Sequence, residues 1–360
     1  MKKVIFILVG VLILGAVIGI IVHQVLVNKG ATKTSPPSAT PTVALPDPTA
    51  FQWGINTGPN ALGDFTAENW QEQIDIMKKL GVKWVRFAWE YQAGNKVYIR
   101  ENQVLQALWD NGINVILVIE PTGDWENMDT YQNGYNNALQ ISSYYKGEIK
   151  YYQLLNEGAA MIAKTPTSDG QSESDYDPAK YVKIKNFLLG AAEGIAEGDP
   201  AAKTVVTTVG THTAYLDMLT RDKVPFDIIG LDWYSWSGSF ADKKIANNQL
   251  ESDKLKSYGK PMIFTEVNAW PAADPSNGGK MTKVNEDLQS SFISETAEYA
   301  YTHKDWIKGF YVFSLFDDPF STNPLYLGIY GSEKNGKICV PTVAKKAYTA
   351  YQAIIKKYSE

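Results

Sequence analysis

From Phe51 to the C-terminus, short apolar runs alternate with amphipathic helical stretches, and this alternation restricts the fold more than any other feature of the chain. Runs of period two or unbroken apolar character read as strands over Phe51–Asn56, Lys83–Trp89, Asn114–Glu120, Lys150–Asn156, Thr204–Val209, Asp227–Trp233, Met262–Glu266 and Lys308–Leu315. Between and after them, a 3.6-residue period predicts helices over Ala67–Leu80, Glu101–Asn111, Tyr131–Tyr145, Pro178–Glu197, Ala214–Thr220, Asp242–Tyr258, Val284–His303 and Pro341–Lys357. Gly81 and Gly112 follow the first two helices as C-terminal caps, Pro121 stops the third strand, and Pro178 stands in the first turn of the fourth helix. One irregular insertion, Lys164–Asp177, is rich in Ser, Asp, Gly and Thr. Eight strands strictly alternating with eight helices predict a closed (β/α)₈ barrel, an α/β fold; open doubly wound sheets usually have fewer strands and reverse direction at a switch point. A barrel of this kind carries its functional residues at the C-terminal ends of its strands.

Ahead of the barrel, Lys2 and Lys3 precede an uncharged apolar run of 19 residues, Val4–Val22. Its length matches the roughly 17–25 residues that span a bilayer and exceeds the about 7–15 of a signal-peptide core. No A-x-A cleavage signal follows, so residues 1–29 read as a retained transmembrane anchor, a cleaved signal segment being the alternative. The paired lysines favour a cytoplasmic N-terminus, with Lys29 and Lys33 weakening the asymmetry. Residues 30–50 hold five Pro among Ser, Thr and Ala and read as a semi-extended linker. The expectation is a single catalytic domain, 51–360, held outside the cytoplasm on the membrane, or secreted if the first segment is cleaved.

Composition narrows the chemistry. A net charge of −5 with no basic patch argues against a nucleic-acid partner. One cysteine, Cys339, and three scattered histidines offer no zinc-ligand spacing, and no Gly-rich phosphate loop follows a strand, so neither metal nor cofactor is expected. Ten Trp and twenty-one Tyr are enough to line a cleft as well as a core.

The predicted strand ends carry Arg86 (second strand), Asn156 and Glu157 (fourth), His212 (fifth), Trp233 and Tyr234 (sixth), Glu266 (seventh) and the pair Asp317–Asp318 (eighth). One glutamate after an apolar strand commonly just opens a loop. Two, after strands that face each other across one barrel, match the need of a retaining glycosidase for carboxyl groups about 5–5.5 Å apart, one to protonate the leaving oxygen and one to attack the anomeric carbon. Glu120, after the third strand, is the rival acid. Trp270, four residues beyond Glu266, is a candidate stacking platform; Trp89, Trp125, Trp233 and Trp236 are candidates for the cleft, while Trp84 and Trp109 read as core.

Over residues 51–360 this pattern resembles the large clan of retaining glycoside hydrolases with (β/α)₈ barrels, which includes the family 5 cellulases and mannanases and the family 39 β-xylosidases. Its most specific parts are Asn156-Glu157 closing the fourth strand, Glu266 after the seventh, and Tyr234 closing the sixth. The resemblance implies that Glu157 is the general acid/base and Glu266 the nucleophile, that Asn156 bonds the sugar 2-hydroxyl, and that Tyr234 and Arg86 keep the nucleophile charged and aimed. His212, Trp89, Trp233 and Trp270 are the further expected substrate contacts. Departures exist: the third strand ends Ile119-Glu120-Pro121 and the sixth reads Asp232-Trp233-Tyr234 where family 5 members commonly have His, Gly158 follows Glu157 where several relatives have Pro, and the eighth strand ends in Phe316 where many have Trp. The expected activity is hydrolysis of β-glycosidic bonds in a poly- or oligosaccharide by a monomer. The alternatives are a non-catalytic carbohydrate-binding envelope protein on the same scaffold and a barrel enzyme for phosphorylated metabolites, for which residues 270–283 offer Gly278-Gly279 but no phosphate loop.

Overall fold

The computed structural model describes residues 45, 47–57, 67–89, 97–123, 129–271, 273–274, 280–281, 283–319, 326–336 and 338–359. They belong to the unit Pro41–Glu360; the unit Met1–Thr40, and with it the expected anchor and most of the linker, lies outside the described residues. Among the described residues no helix is long and apolar enough to cross a membrane.

Eight strands close a barrel: β1 (Gln52–Asn56), β2 (Trp84–Trp89), β3 (Asn114–Ile119), β4 (Tyr151–Leu154), β5 (Lys203–Val209), β6 (Ile228–Tyr234), β7 (Met262–Asn268) and β8 (Ile307–Val312). Each pairs in parallel with its sequence neighbours, and β1 pairs with β8 to complete the ring. The helices on the outside are α1 (Ala67–Leu80), α2 (Val97–Asp110), α3 (Thr130–Tyr144), α4 (Gly158–Ile162), α5 (Pro178–Gly198), α6 (Thr213–Arg221), α7 (Glu251–Ser257), α8 (Glu286–Thr302) and α9 (Lys346–Ser359). The (β/α)₈ architecture expected from the alternation is present.

Three segments differ from expectation. The helix expected over Asp242–Tyr258 is helical only in α7; before it the chain makes a 3₁₀ turn, Ala246–Asn248, in which Asn247 and Asn248 adopt left-handed backbone, a conformation Asn tolerates and a helix does not. The last helix does not begin at Pro341. That residue lies in β10 (Ile338–Ala344), antiparallel to β9 (Tyr330–Asn335), because β-branched Val340, Thr342 and Val343 suit a strand and the helix starts after Lys345. The short helix α4, placed between β4 and the Lys164–Asp177 insertion, was not anticipated.

Residues alternate in and out along each strand. The lowest inward layer is Trp84, Ile116, Val205, Ile228, Ile263 and Tyr311, a packed apolar floor. Two residues further along the same strands stand Arg86, Thr207 and Thr265, and above them Asp232, so polarity rises toward the carboxyl ends. Outward-facing residues such as Ile55, Val85, Val206, Leu231 and Phe264 join the large core between sheet and helices.

Candidate active site

Two local distortions bring the predicted glutamates over the barrel. Ile263 and Thr265 face inward, so strict alternation would turn Glu266 outward. Between Leu231↔Phe264 and Asp232↔Glu266 the pairing of β6 with β7 slips by one residue, a bulge that re-aims Glu266 into the mouth. At the end of β4 the chain takes left-handed backbone at Leu155 (φ 67) and again at Glu157 (φ 43). Such strain costs of order 1–3 kcal/mol for a non-glycine residue and persists only where its surroundings enforce it. Here Thr207 Oγ1 accepts from the Glu157 N–H (3.0 Å) and donates to the Leu155 carbonyl (3.2 Å).

Arg86 organises the floor. Its guanidinium is buried and donates to Glu266 Oε1 (2.8 Å), Asn56 Oδ1 (2.6 Å), Gln153 Oε1 (2.6 Å) and Asn156 Oδ1 (2.6 Å), tying β1, the end of β4 and β7 to one charge from β2. Asn56 in turn donates to the carbonyls of Thr265 (2.8 Å) and Val312 (3.1 Å). The Tyr234 hydroxyl donates to Glu266 Oε2 at 2.6 Å, and burial keeps that phenol protonated far above its ordinary range. Glu266 is thus held at both oxygens.

Carboxylate oxygens of Glu157, Asp232 and Glu266 all lie within 4.8 Å of one another. Three carboxylates at that distance cannot all ionise beside one guanidinium. Burial, then the charge of Glu266, pushes Glu157 up to about 7, against the pull of Arg86. Burial and Glu266 push Asp232 well above the carboxylate range too; it is wholly buried, accepts from Thr265 Oγ1 (2.6 Å), and its Oδ2 has no protein partner. The arrangement therefore pairs Arg86 with Glu266 (2.8 Å) and favours the protonated forms of Glu157 and Asp232. Among the described residues these three form the one acidic group spaced to ligate a cation, but the guanidinium already neutralises Glu266. Glu120, the rival acid, stands beside the pair: its Oε1 accepts from the Asn156 N–H (3.1 Å), and burial pushes it to about 7.

A cleft opens from Glu157 past His212, Tyr234, Trp236 and Trp270. Trp270 meets the Tyr234 ring edge-on (centroids 5.1 Å apart), and its backbone N–H donates to Ser235 Oγ (2.9 Å). His212 lines the wall with Nδ1 3.2 Å from the Tyr176 hydroxyl, and burial lowers its basicity, which favours the neutral ring. Arg86, Asn156, Tyr234, His212 and Trp270 thus surround or border the two glutamates. Trp233 does not: its side chain points outward, wholly buried against Phe240, with the indole N–H on the Gly238 carbonyl (3.0 Å). The alternation that turns Tyr234 and Asp232 inward turns Trp233 away, so it is a core residue. The side chain of Trp89, and Trp125 and Gly278-Gly279, lie outside what the structure describes. Asp317 is buried and held by Lys345 Nζ (2.7 Å) and the Gly328 N–H (3.0 Å). Sequence reading missed Asn56, Gln153, Thr207 and Asp232; each is a polar residue inside a buried strand, and that was the available signal.

Fold and site together define a (β/α)₈ barrel with a carboxyl pair at the ends of β4 and β7, the second carboxylate held by an arginine from β2 and a tyrosine from β6. No protein-family model and no curated protein matches the sequence. Among solved structures, the family 1 β-glucosidase from Thermotoga maritima superposes with a TM-score of 0.61 at 15% identity, covering 87% of this chain and 98% of that one. The same organism's β-glucosidase in complex with deoxynojirimycin (TM-score 0.60, 15% identity, 87% and 98%) and with glucoimidazole (0.59, 16%, 87% and 99%) superposes equally. At this identity the likeness shows a shared barrel. These neighbours belong to family 1 rather than to family 5 or 39, the families named from sequence.

Proposed function

We propose that this chain is a retaining glycoside hydrolase acting on β-linked sugars, with Glu266 as nucleophile and Glu157 as general acid/base. The observation that carries the reading is the asymmetry of the two carboxyls: Glu266 receives both a guanidinium and a phenol O–H, whereas Glu157, within 4.8 Å, has no such donor among the described residues and is pushed up to about 7. A carboxylate supported by donors beside a carboxyl that favours its proton is the pairing double displacement requires. The spacing falls on the retaining side of the about 6.5–9.5 Å that an inverting enzyme needs to admit water between its carboxyls. The β-glucosidase names of the structural neighbours accord with the β linkage.

In the first step a Glu266 oxygen bonds to the anomeric carbon as the carbon–oxygen bond to the leaving group breaks, and that oxygen takes the Glu157 proton. Glycosylation removes the Glu266 charge, so the repulsion that held the proton on Glu157 disappears. Glu157 then takes a proton from water, the water oxygen bonds to the anomeric carbon, and Glu266 leaves as carboxylate beside Arg86. In this reading Asn156, whose Oδ1 accepts from Arg86, bonds the 2-hydroxyl of the sugar.

The test is release of new reducing ends from β-glucans, mannans, xylans and galactans, with Glu266→Gln as the blank. Turnover by the wild type and none by the variant is expected; equal turnover by both would sink the assignment.

The apolar run Val4–Val22 behind Lys2 and Lys3, followed by the Pro-rich stretch, supports a membrane-held enzyme facing outward. Full-length chain should stay in the membrane pellet through alkaline carbonate washing; release into the supernatant would contradict an integral anchor.

A further inference from the structure

Glu266 is held at both oxygens, but among the described residues no hydrogen bond reaches the Glu157 carboxyl. The aim of that carboxyl is therefore set by its backbone, and the backbone is unusual. Glu157 has φ 43 and ψ 43, a left-handed conformation that a residue with a side chain rarely adopts. Its carbonyl accepts from the N–H groups of Ala160 (2.9 Å) and Met161 (3.2 Å) at the start of α4. Its own N–H donates to Thr207 Oγ1 (3.0 Å). Among the described residues, Thr207 is the one side chain bonded to the Glu157 main chain. Its hydroxyl also accepts from Gln153 Nε2 (3.2 Å) and donates to the carbonyl of Leu155 (3.2 Å), the other left-handed residue of this turn. One proton and two lone pairs are thus all in use. Thr207 is buried on β5, and its methyl lies against Gly230 of β6, where a Cβ would stand 2.5 Å from Thr207 Cγ2. Gly230 thereby gives the methyl room and leaves the hydroxyl to the end of β4. Gly158 admits the turn on the other side: a Cβ there would stand 2.5 Å from the Tyr215 hydroxyl of α6, and proline would favour extended backbone at 157.

We propose that Thr207 is a positioning residue for the acid step: by tying the Glu157 N–H and the Leu155 carbonyl to β5, its hydroxyl sets the left-handed turn that aims the Glu157 carboxyl at the leaving oxygen. The proposal rests on the glycosidase reading above. Thr207 touches neither reacting carboxyl and acts through the main chain of Glu157. The nucleophile is held separately. Arg86 and Tyr234 donate to Glu266 directly, and the bond that Gln153 Oε1 accepts from Arg86 (2.6 Å) does not involve Thr207. Loss of the hydroxyl leaves the Glu157 N–H without its acceptor and frees the turn to relax, so proton transfer suffers while attack by Glu266 is spared.

The experiment uses Thr207→Val, which keeps the branched shape and removes the hydroxyl, and Thr207→Ser, which keeps the hydroxyl. Each full-length variant is assayed on two substrates with the same glycone sugar: a β-linked oligosaccharide, whose leaving oxygen takes a proton, and the corresponding glycosyl fluoride, whose leaving group needs none. The readout is the ratio of kcat/KM on the oligosaccharide to kcat/KM on the fluoride. In Thr207→Val the ratio should fall by about tenfold to a hundredfold, the scale of loss when a catalytic group is misplaced by about 1 Å. In Thr207→Ser it should stay near the wild-type value. Far-UV circular dichroism reports whether each variant folds, and Thr207→Ala makes the same comparison if Thr207→Val does not. An unchanged ratio without the hydroxyl, with both substrates impaired equally or neither impaired, would make Thr207 a structural contact only and overturn the proposal, leaving the glycosidase reading intact. A ratio as low in Thr207→Ser as in Thr207→Val would overturn it too. Wild type inactive on both substrates across the sugars tested would overturn that reading and the positioning role with it.

Discussion

At the level of single residues, the roles proposed for Glu157 and Glu266 rest on their partners. Each is an ordinary glutamate at a strand end; Glu266 accepts from Arg86 and Tyr234, whereas burial and the neighbouring Glu266 push Glu157 up. This gives a pH prediction with a definite sign. The first step needs Glu157 protonated, so kcat/KM on an oligosaccharide should be sustained below about pH 7 and fall as pH rises through that value. Glu157→Gln should be slow on the oligosaccharide and lose this alkaline limb, and the glycosyl fluoride, whose leaving group needs no proton, should be much less impaired. Glu120 also has its carboxyl pushed to about 7, so Glu120→Gln is the control: it should keep the limb. A limb unchanged in Glu157→Gln and absent in Glu120→Gln would transfer the acid role to Glu120. The sequence displayed both glutamates but not this difference, because it arises from Arg86, Tyr234 and burial, contributed by strands far apart in the chain. Asp232 was overlooked as a member of the cluster for the same reason: its neighbour Thr265 and the two glutamates come together only when the barrel closes.

At the level of elements, helices α3 and α5 pack backbone to backbone beside β4, the strand that delivers Glu157. Gly190 and Gly194 face the α3 carbonyls of Tyr131 and Tyr135, and Gly134 faces the Phe187 carbonyl in return. A methyl group at Gly190 would run into the Tyr131 carbonyl, an atom that cannot swing aside. Two effects compete in Gly190→Ala. Helix propensity favours Ala by up to about 1 kcal/mol, whereas overpacking a tight contact costs roughly 1–3 kcal/mol. The clash against backbone should win, so the variant should melt several degrees below wild type; a melting point equal to or above wild type would show that the helices can part without loss. Periodicity read most helices to within a few residues. It failed where a polar loop mimics a helix, at 242–250, and where a β-branched segment precedes a true helix, at Ile338–Ala344. The bulge in β7 was also illegible: no residue in Ile263-Phe264-Thr265-Glu266 announces it, and it is visible only in the pairing with β6.

At the level of the whole molecule, the eightfold alternation was enough to read the barrel, because few other architectures consume eight strands and eight helices in turn. The closed ring then puts the ends of β4 and β7 within one carboxyl-to-carboxyl reach, a relation that no local pattern contains. It also separates the chain into an apolar floor, a charged middle and an aromatic rim, so that binding and chemistry stack along one axis. At the rim, likeness to β-glucosidases at 15% identity carries the barrel and not the contacts. Double displacement, as proposed above, predicts the configuration of the product. The direct test is proton NMR of the anomeric signals during the first minutes of hydrolysis of a β-linked oligosaccharide by the protein, before mutarotation mixes the anomers. The β anomer of the released sugar should appear first, with the α anomer growing later. First appearance of the α anomer would mean inversion, and would contradict a mechanism in which Glu266 attacks the sugar directly.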